Sequence, residues 1–249
     1  MLPAADDPQQ PEPRRRSTTP VERIVAVIEI LLCSDFPTQL ALGQSFAAFG
    51  HTPYDAHGAL RVDYVVWLSF LDAAILVSLI LLFLAAHGES WRRVLFGDRE
   101  IGREVAAGLP LVFVALGIGV LVLLPIQHFA PWMHTVPQNP LQALIRTPAN
   151  ALLFAAVVVV AGGVREEIQR AFILHRFEQY LGGGAVGVVV SSVAFGAGHF
   201  IQGADASVAT GVLGAFWGIV YLRRRSIVAP MVSHAGFDLL QILQAFAGK

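Results

Sequence analysis

From residue 24 onward the chain is a succession of apolar runs separated by short polar breaks. Seven runs, at about 24–48, 62–86, 105–126, 149–175, 184–202, 206–222 and 226–246, reach or approach the length of a membrane-crossing helix. Such a helix needs roughly 20 apolar residues to span a hydrocarbon layer of about 30 Å. Val62 to Ala86 is the cleanest, with Asp63 and Asp72 as its only charges. The first run is interrupted by Glu29, Asp35 and Pro37, and the third carries Pro110 and Pro125, which membrane helices tolerate better than soluble ones. The pattern predicts an all-α, polytopic membrane protein with about seven transmembrane helices.

Residues 1–23 have no apolar run and are rich in proline and charge. Such a stretch cannot bury enough surface to order itself, and it predicts a disordered cytoplasmic tail. It lacks the apolar core and small-residue cleavage site of a secretory signal. The chain then divides into N-terminal transmembrane helices and loops over 24–148 and a C-terminal helix bundle over 149–246. No internal repeat suggests a transporter built from two related halves. The longest outer loop, Gln127 to Pro148, is broken by four prolines and places Trp132 where it suits a membrane interface.

Composition removes the soluble alternative. The chain is 55% hydrophobic and only 14% charged, with a mean hydropathy of +0.62, whereas a soluble domain carries about 25% charged residues. A net charge of −1 offers no basic field for nucleic acid. A single cysteine, Cys33, excludes a disulfide framework and a cysteine-rich zinc site. The basic residues are unevenly placed. Seven spans put Arg14, Arg15, Arg16 and Arg23, then Arg92, Arg93, Arg99 and Arg103, then Arg165, Arg170 and Arg176, then Arg223, Arg224 and Arg225 on one side. That leaves only Arg61, Arg146 and Lys249 on the other, and discounting Arg165 and Arg170 as in-span residues does not change the bias. By the positive-inside rule the N-terminus is cytoplasmic and the C-terminus outside, and the expected location is a bacterial inner (plasma) membrane.

Ionisable groups at membrane depth are costly and point to function. Most here lie in the last hundred residues: Glu166, Glu167 and Arg170 on the fourth run, His199 on the fifth with Phe195 four residues before it, His234 and Asp238 on the seventh. Residues four apart share a helix face, so Glu166 is expected to meet Arg170 and His234 to meet Asp238, with Glu167 turned about 100° away. At 1.5 Å rise per residue Glu166, His199 and Asp238 lie roughly 20–24 Å from the cytoplasmic turns and His234 roughly 13 Å, close to one layer. A carboxylate with two imidazoles supports two chemistries. Glu166 can act as general base on water, with histidines positioning that water and stabilising an oxyanion. Alternatively, His199, His234 and Glu166 can ligate a divalent metal such as zinc, although neither histidine sits in an H-E-x-x-H pattern.

The plainer alternatives are structural. Glu166, Glu167 and Arg170 could instead be a structural ion pair at the cytoplasmic end of a helix and the histidines interhelical hydrogen bonds, while Phe195 is read first as packing. Glu29, Asp35, Asp63 and Asp72 read as helix-end or polar-packing residues, with Asp35 suited to a cavity mouth. His175 and Arg176 are expected to snorkel to the headgroups, and Arg223 to Arg225 to serve as a topology signal.

Glu166-Glu167 followed by Arg170, Phe195-x-x-x-His199 and His234-x-x-x-Asp238 occur in that order across about eighty residues. They resemble the three motifs of the CPBP (CAAX-processing and bacteriocin-processing, or ABI) family of intramembrane proteases. The resemblance implies a conical, cavity-forming catalytic helix bundle open to the cytoplasm, and endoproteolysis near the C-terminus of a membrane-associated, lipidated or small peptide substrate. It implies Glu166 as the base that activates water, His199 as its water-positioning partner, and His234 with Asp238 on the oxyanion side, supported by Glu167, Arg170 and Phe195. It requires no cofactor and leaves metal dependence open. The third motif of that family usually ends in Asn. An ionised Asp238 cannot donate a hydrogen bond, so it is either protonated, or orients His234, or favours a metal. The competing expectations are a non-catalytic membrane scaffold or bacteriocin-immunity-type protein and, more weakly, a cation-coupled transporter.

Overall fold

The computed structural model describes residues 18–137, 139–145 and 147–247. Residues 1–17, most of the predicted tail, lie outside that range with Arg14, Arg15, Arg16, Arg146 and Lys249 of the charge pattern. Among the described residues the regular structure is helical, apart from one isolated antiparallel bridge between Tyr54 and Leu60. The molecule is an all-α integral membrane protein.

The first apolar run is two helices, α1 (Pro20–Leu32) and α2 (Phe36–Ala48), bent by 42° at the break between them. α1 starts inside the predicted tail because Thr19 and Glu22 form a capping box and Pro20 takes the first helical position, where no backbone N–H is needed. The break falls at Asp35, which has a positive φ of 67° and is followed by Phe36-Pro37. α3 (Val62–Ala86) coincides with the cleanest predicted run. A short α4 (Trp91–Phe96) leads to α5 (Ile101–Phe129), which at 1.5 Å per residue is about 43 Å long and exceeds the hydrocarbon thickness.

The fourth run is composite: α6 (Pro148–Val157), a π-helical segment (Val158–Glu166), and α7 (Glu167–Tyr180). α8 (Gly184–Gly198), α9 (Ala204–Arg224) and α10 (Val228–Ala247) complete the chain. All seven predicted runs are therefore helical. Among the described residues α3, α5 and α9 are each long and apolar enough to cross a membrane, and α1 with α2 passes as a bent pair. α8 is shorter, and the α6–α7 run and α10 are interrupted by the polar groups of the site. Large apolar side chains such as Phe113 and Leu121 on α5 and Leu82 on α3 point outward, as a lipid-facing surface requires.

Tight packing of the C-terminal bundle depends on small residues. α10 lies against α5 and the π-helical segment, and α8 against α9. A side chain at Gly108 of α5 would meet Val232 and the Ala229 carbonyl, and one at Gly196 of α8 would meet α9 backbone at Ser207 and Gly211. Such close approach is how membrane helices gain packing energy when lipid supplies no hydrophobic drive.

Two expectations fail at the helix ends. Arg176 does not snorkel: it is fully buried, bonding Glu29 Oε2 and Glu89 Oε2 at 2.6 Å each and stacking on Phe172. His175 likewise turns inward, 3.1 Å from Glu89. Two carboxylates from α1 and the α3–α4 turn offer these side chains better partners than headgroups. The basic turn is also more than a charge marker, since Arg224 forms a bidentate pair with Glu104 and Arg225 pairs with Glu178.

Candidate active site

The π-helical segment decides how the site is assembled. Gly162 and Gly163 let it press against α10: a Cβ on Gly163 would lie 2.7 Å from the Ala235 Cβ, and one on Gly162 would lie 2.7 Å from Asp238 Oδ2. Without side chains at these two positions, α10 delivers His234 and Asp238 directly onto Glu166 and Glu167. Segments of this kind recur at functional sites because the extra residue re-aims neighbouring side chains.

The side-chain contacts correct the predicted pairing. Glu166 does not face Arg170. Arg170 instead pairs with Glu167, three residues before it, and its guanidinium lies over Phe195 and Trp217. Glu166 has helical φ and ψ and α7 runs on from it, so Arg170 can reach partners three or four residues back, and it takes the one at three. Glu166 Oε1 accepts from Arg165 Nη2 at 3.0 Å.

His234 is at the centre. Its Nδ1–H donates to Glu167 Oε1 at 2.8 Å, because a carboxylate can only accept from it when ionised. Its Nε2 lies 3.7 Å from both Glu166 Oε2 and Asp238 Oδ2. The ring stacks on Trp217 with centroids 3.8 Å apart and planes 18° apart, and the indole N–H is held by Ser233 Oγ at 3.2 Å. The imidazole is thus fixed in plane by a neighbouring carboxylate and in tilt by an aromatic face. His199 caps α8. Its Nδ1–H donates to the Phe195 carbonyl at 2.8 Å, which leaves Nε2 as the free nitrogen.

Glu166, Glu167, Arg170, Phe195, His234 and Asp238 are therefore in one connected cluster, and His199 shares its cavities. One cavity of about 340 Å³ and a second of about 410 Å³ are both bordered by Arg165, Glu166, Phe195, His199 and Gln202. The first also reaches His234 and Asp238, and the second reaches Asp35 at the α1–α2 break. Glu166 Oε2 is buried and finds no hydrogen-bond partner among the described residues. A buried carboxylate oxygen in that state has a strong demand for a donor. Among the described residues no three His, Cys, Asp or Glu side chains are arranged to hold a metal ion. His199, His234 and Glu166 therefore form no preassembled cage there.

The cluster lies within a stretch that comparison with protein families picks out. Residues 148–240 match the Rce1-like family model, described as type II CAAX prenyl endopeptidase Rce1-like. The match points to a protease of the kind the three motifs resemble. No curated protein and no solved structure matches the chain.

Several site residues escape a reading of the Rce1-like motifs alone. Trp217 and Ser233 fix the His234 ring, and only the Ser-His adjacency hints at the latter. Asp35, read as suited to a cavity mouth, and Asp72, expected as polar packing, reach Arg165 from α1–α2 and α3. Both lie outside the Rce1-like segment, and their separation of many tens of residues from Arg165 left no spacing signal. Asp63, by contrast, stays at the N-terminal end of α3, paired with Arg61 at 2.7 Å.

Proposed function

We propose that the protein is an intramembrane endopeptidase that hydrolyses a peptide bond near the C-terminus of a membrane-associated, lipidated or small peptide substrate. Glu166 is the general base. Its free Oε2 takes a proton from water, and the resulting hydroxide attacks the substrate carbonyl carbon. His199 Nε2 positions that water. In its imidazolium form His234 donates from both nitrogens, with Nδ1 to Glu167 and Nε2 toward the developing oxyanion. Collapse of the tetrahedral intermediate breaks the C–N bond, and the proton held by Glu166 passes to the leaving amine. Asp238 orients His234, and Glu167 and Arg170 hold its other side.

The observation that supports this reading best is the free, buried Oε2 of Glu166, set 3.7 Å from His234 Nε2 on the wall of cavities shared with His199. The apolar lining of the first cavity, including Phe154, Leu213 and Ile242, suits a lipidated or aliphatic chain end, and the Rce1-like match adds prenylated C-termini as the first substrate class to try. The arginine distribution favours a cytoplasmic N-terminus and access from the cytoplasm, and is compatible with a bacterial inner membrane.

The test compares membrane-protein termini by mass spectrometry in cells carrying the wild-type protein or Glu166→Ala at matched levels. New C-termini or released fragments confined to the wild type are expected. Identical termini, with Glu166→Ala supporting the same phenotype, would replace the enzyme with a scaffold or immunity-type protein.

A further inference from the structure

Glu166 is tied to the N-terminal helices through a single guanidinium. Arg165 is buried, and every edge of its fork is in use. Nη2 donates to Glu166 Oε1 at 3.0 Å, Nη1 donates to Asp72 Oδ2 at 3.1 Å and pairs with Asp35, and Nε donates to the Ala161 carbonyl at 3.2 Å. Its two anchors are themselves held. The Thr38 hydroxyl lies against the Asp72 carboxylate and the Asp35 carbonyl oxygen. Asp35 adopts its left-handed backbone conformation at the α1–α2 break, which costs energy for a residue with a side chain and persists only where the surroundings impose it.

A structural ion pair would need one of these carboxylates. Three converge instead, and the third is Glu166. Arg165 occupies Oε1, so Oε2 is the oxygen left free, and it is Oε2 that faces His234 Nε2. A planar guanidinium fixes direction as well as charge, which a lysine cannot reproduce.

From this geometry we infer that Arg165 is a positioning residue that selects and aims the reactive oxygen of Glu166, with Asp35 and Asp72 setting its own orientation. The inference rests on the endopeptidase reading above. It makes α1–α3 part of the working site, although the Rce1-like segment begins only at residue 148.

The test uses the full chain in liposomes, with an internally quenched peptide ending in farnesyl-cysteine, two aliphatic residues and a free C-terminal residue, alongside its unprenylated counterpart. Arg165→Ala is expected to lower kcat about a hundredfold, as misaligned reacting groups do, while KM changes by less than about twofold. Both cavities border Arg165, so added guanidinium ion is expected to restore part of the lost kcat in Arg165→Ala and none in Glu166→Ala. Arg165→Lys and Asp72→Asn, which disturb folding less, should give intermediate losses in kcat with the same unchanged KM. The inference is overturned if folded Arg165→Lys and Asp72→Asn retain the wild-type kcat. It is equally overturned if the loss in Arg165→Ala parallels a loss of folded protein and guanidinium restores nothing. Wild-type protein that cleaves neither peptide and behaves as Glu166→Ala does would instead remove the endopeptidase reading, and the inference with it.

Discussion

His234 Nδ1 and Glu167 Oε1 are 2.8 Å apart in the buried centre of the bundle, and this one hydrogen bond fixes which nitrogen of the imidazole faces the cavity. Glu167→Gln keeps the shape but weakens the preference for Nδ1–H and removes the charge that favours imidazolium. The expected result is a loss in kcat of about a hundredfold or more, the scale of acid–base catalysis, with folded protein retained on size-exclusion chromatography. A variant as active as the wild type would remove Glu167 from the machinery.

Asp238 stands where the resembled family usually has Asn. Its Oδ2 lies 3.7 Å from His234 Nε2, and an amide at the same place can still contact the ring and can also donate. Asp238→Asn is therefore expected to keep kcat within about tenfold of the wild type, whereas Asp238→Leu, which offers no polar atom, should lose more. Steady-state cleavage rates of the two variants side by side decide this.

The two adjacent glycines should fail differently. At Gly163 a methyl would meet the Ala235 Cβ at 2.7 Å and its Cα at 3.3 Å, so helix backbones must separate. Gly163→Ala should cost about 1–3 kcal/mol as an overpacked contact, visible as a lower thermal midpoint. At Gly162 the obstacle is only the end of the Asp238 side chain, which can swing away. Gly162→Ala should leave the midpoint nearly unchanged and show itself in activity.

At the other end of α7, Arg176 bonds both Glu29 and Glu89. Replacement by Met would leave two buried or half-buried carboxylates without their cation, and loss of one partner of a buried pair costs about 3–5 kcal/mol. Arg176→Met is expected to unfold at markedly lower temperature in detergent. Adding Glu29→Gln should recover part of the loss.

Glu89, in the turn after α3, gives that region a pH dependence. Burial pushes its carboxyl up, but hydrogen bonds from His175, Gln179 and Arg176 outweigh burial and hold it down at about 2, against an ordinary 4.5. A carboxyl lowered in the folded state stabilises fully above its unfolded value and loses that contribution as pH falls from about 4.5 through about 2. Thermal midpoints measured from pH 6 downward should fall in that window, and Glu89→Gln should flatten the decline.

Much of this was legible in the sequence, and the exceptions share a cause. The nearly continuous apolarity of Val62 to Ala86 specifies α3, and Asp35 with Pro37 marks the break that bends the first run. The three motifs, each local, pick out residues that the fold gathers into one polar cluster. The mispairing of Glu166 with Arg170 arose because Glu167, three residues back, is equally in reach of Arg170 on the helix while Arg165 takes Glu166 Oε1. The anchors of Arg165 and the inward turn of Arg176 depend on which helices become neighbours, and apolar periodicity carries no record of that.

The bent first run has a practical consequence for anyone dividing the chain. A fragment cut to begin at residue 148 would contain every motif by which this protein can be aligned to others, yet it would lack Asp35, Thr38 and Asp72. Arg165 would then keep its charge and lose its bearings. Motif inventories would score such a fragment as complete, and chimeras joined at that boundary should inherit activity only when the donor of the first three helices supplies carboxylates at the same two places.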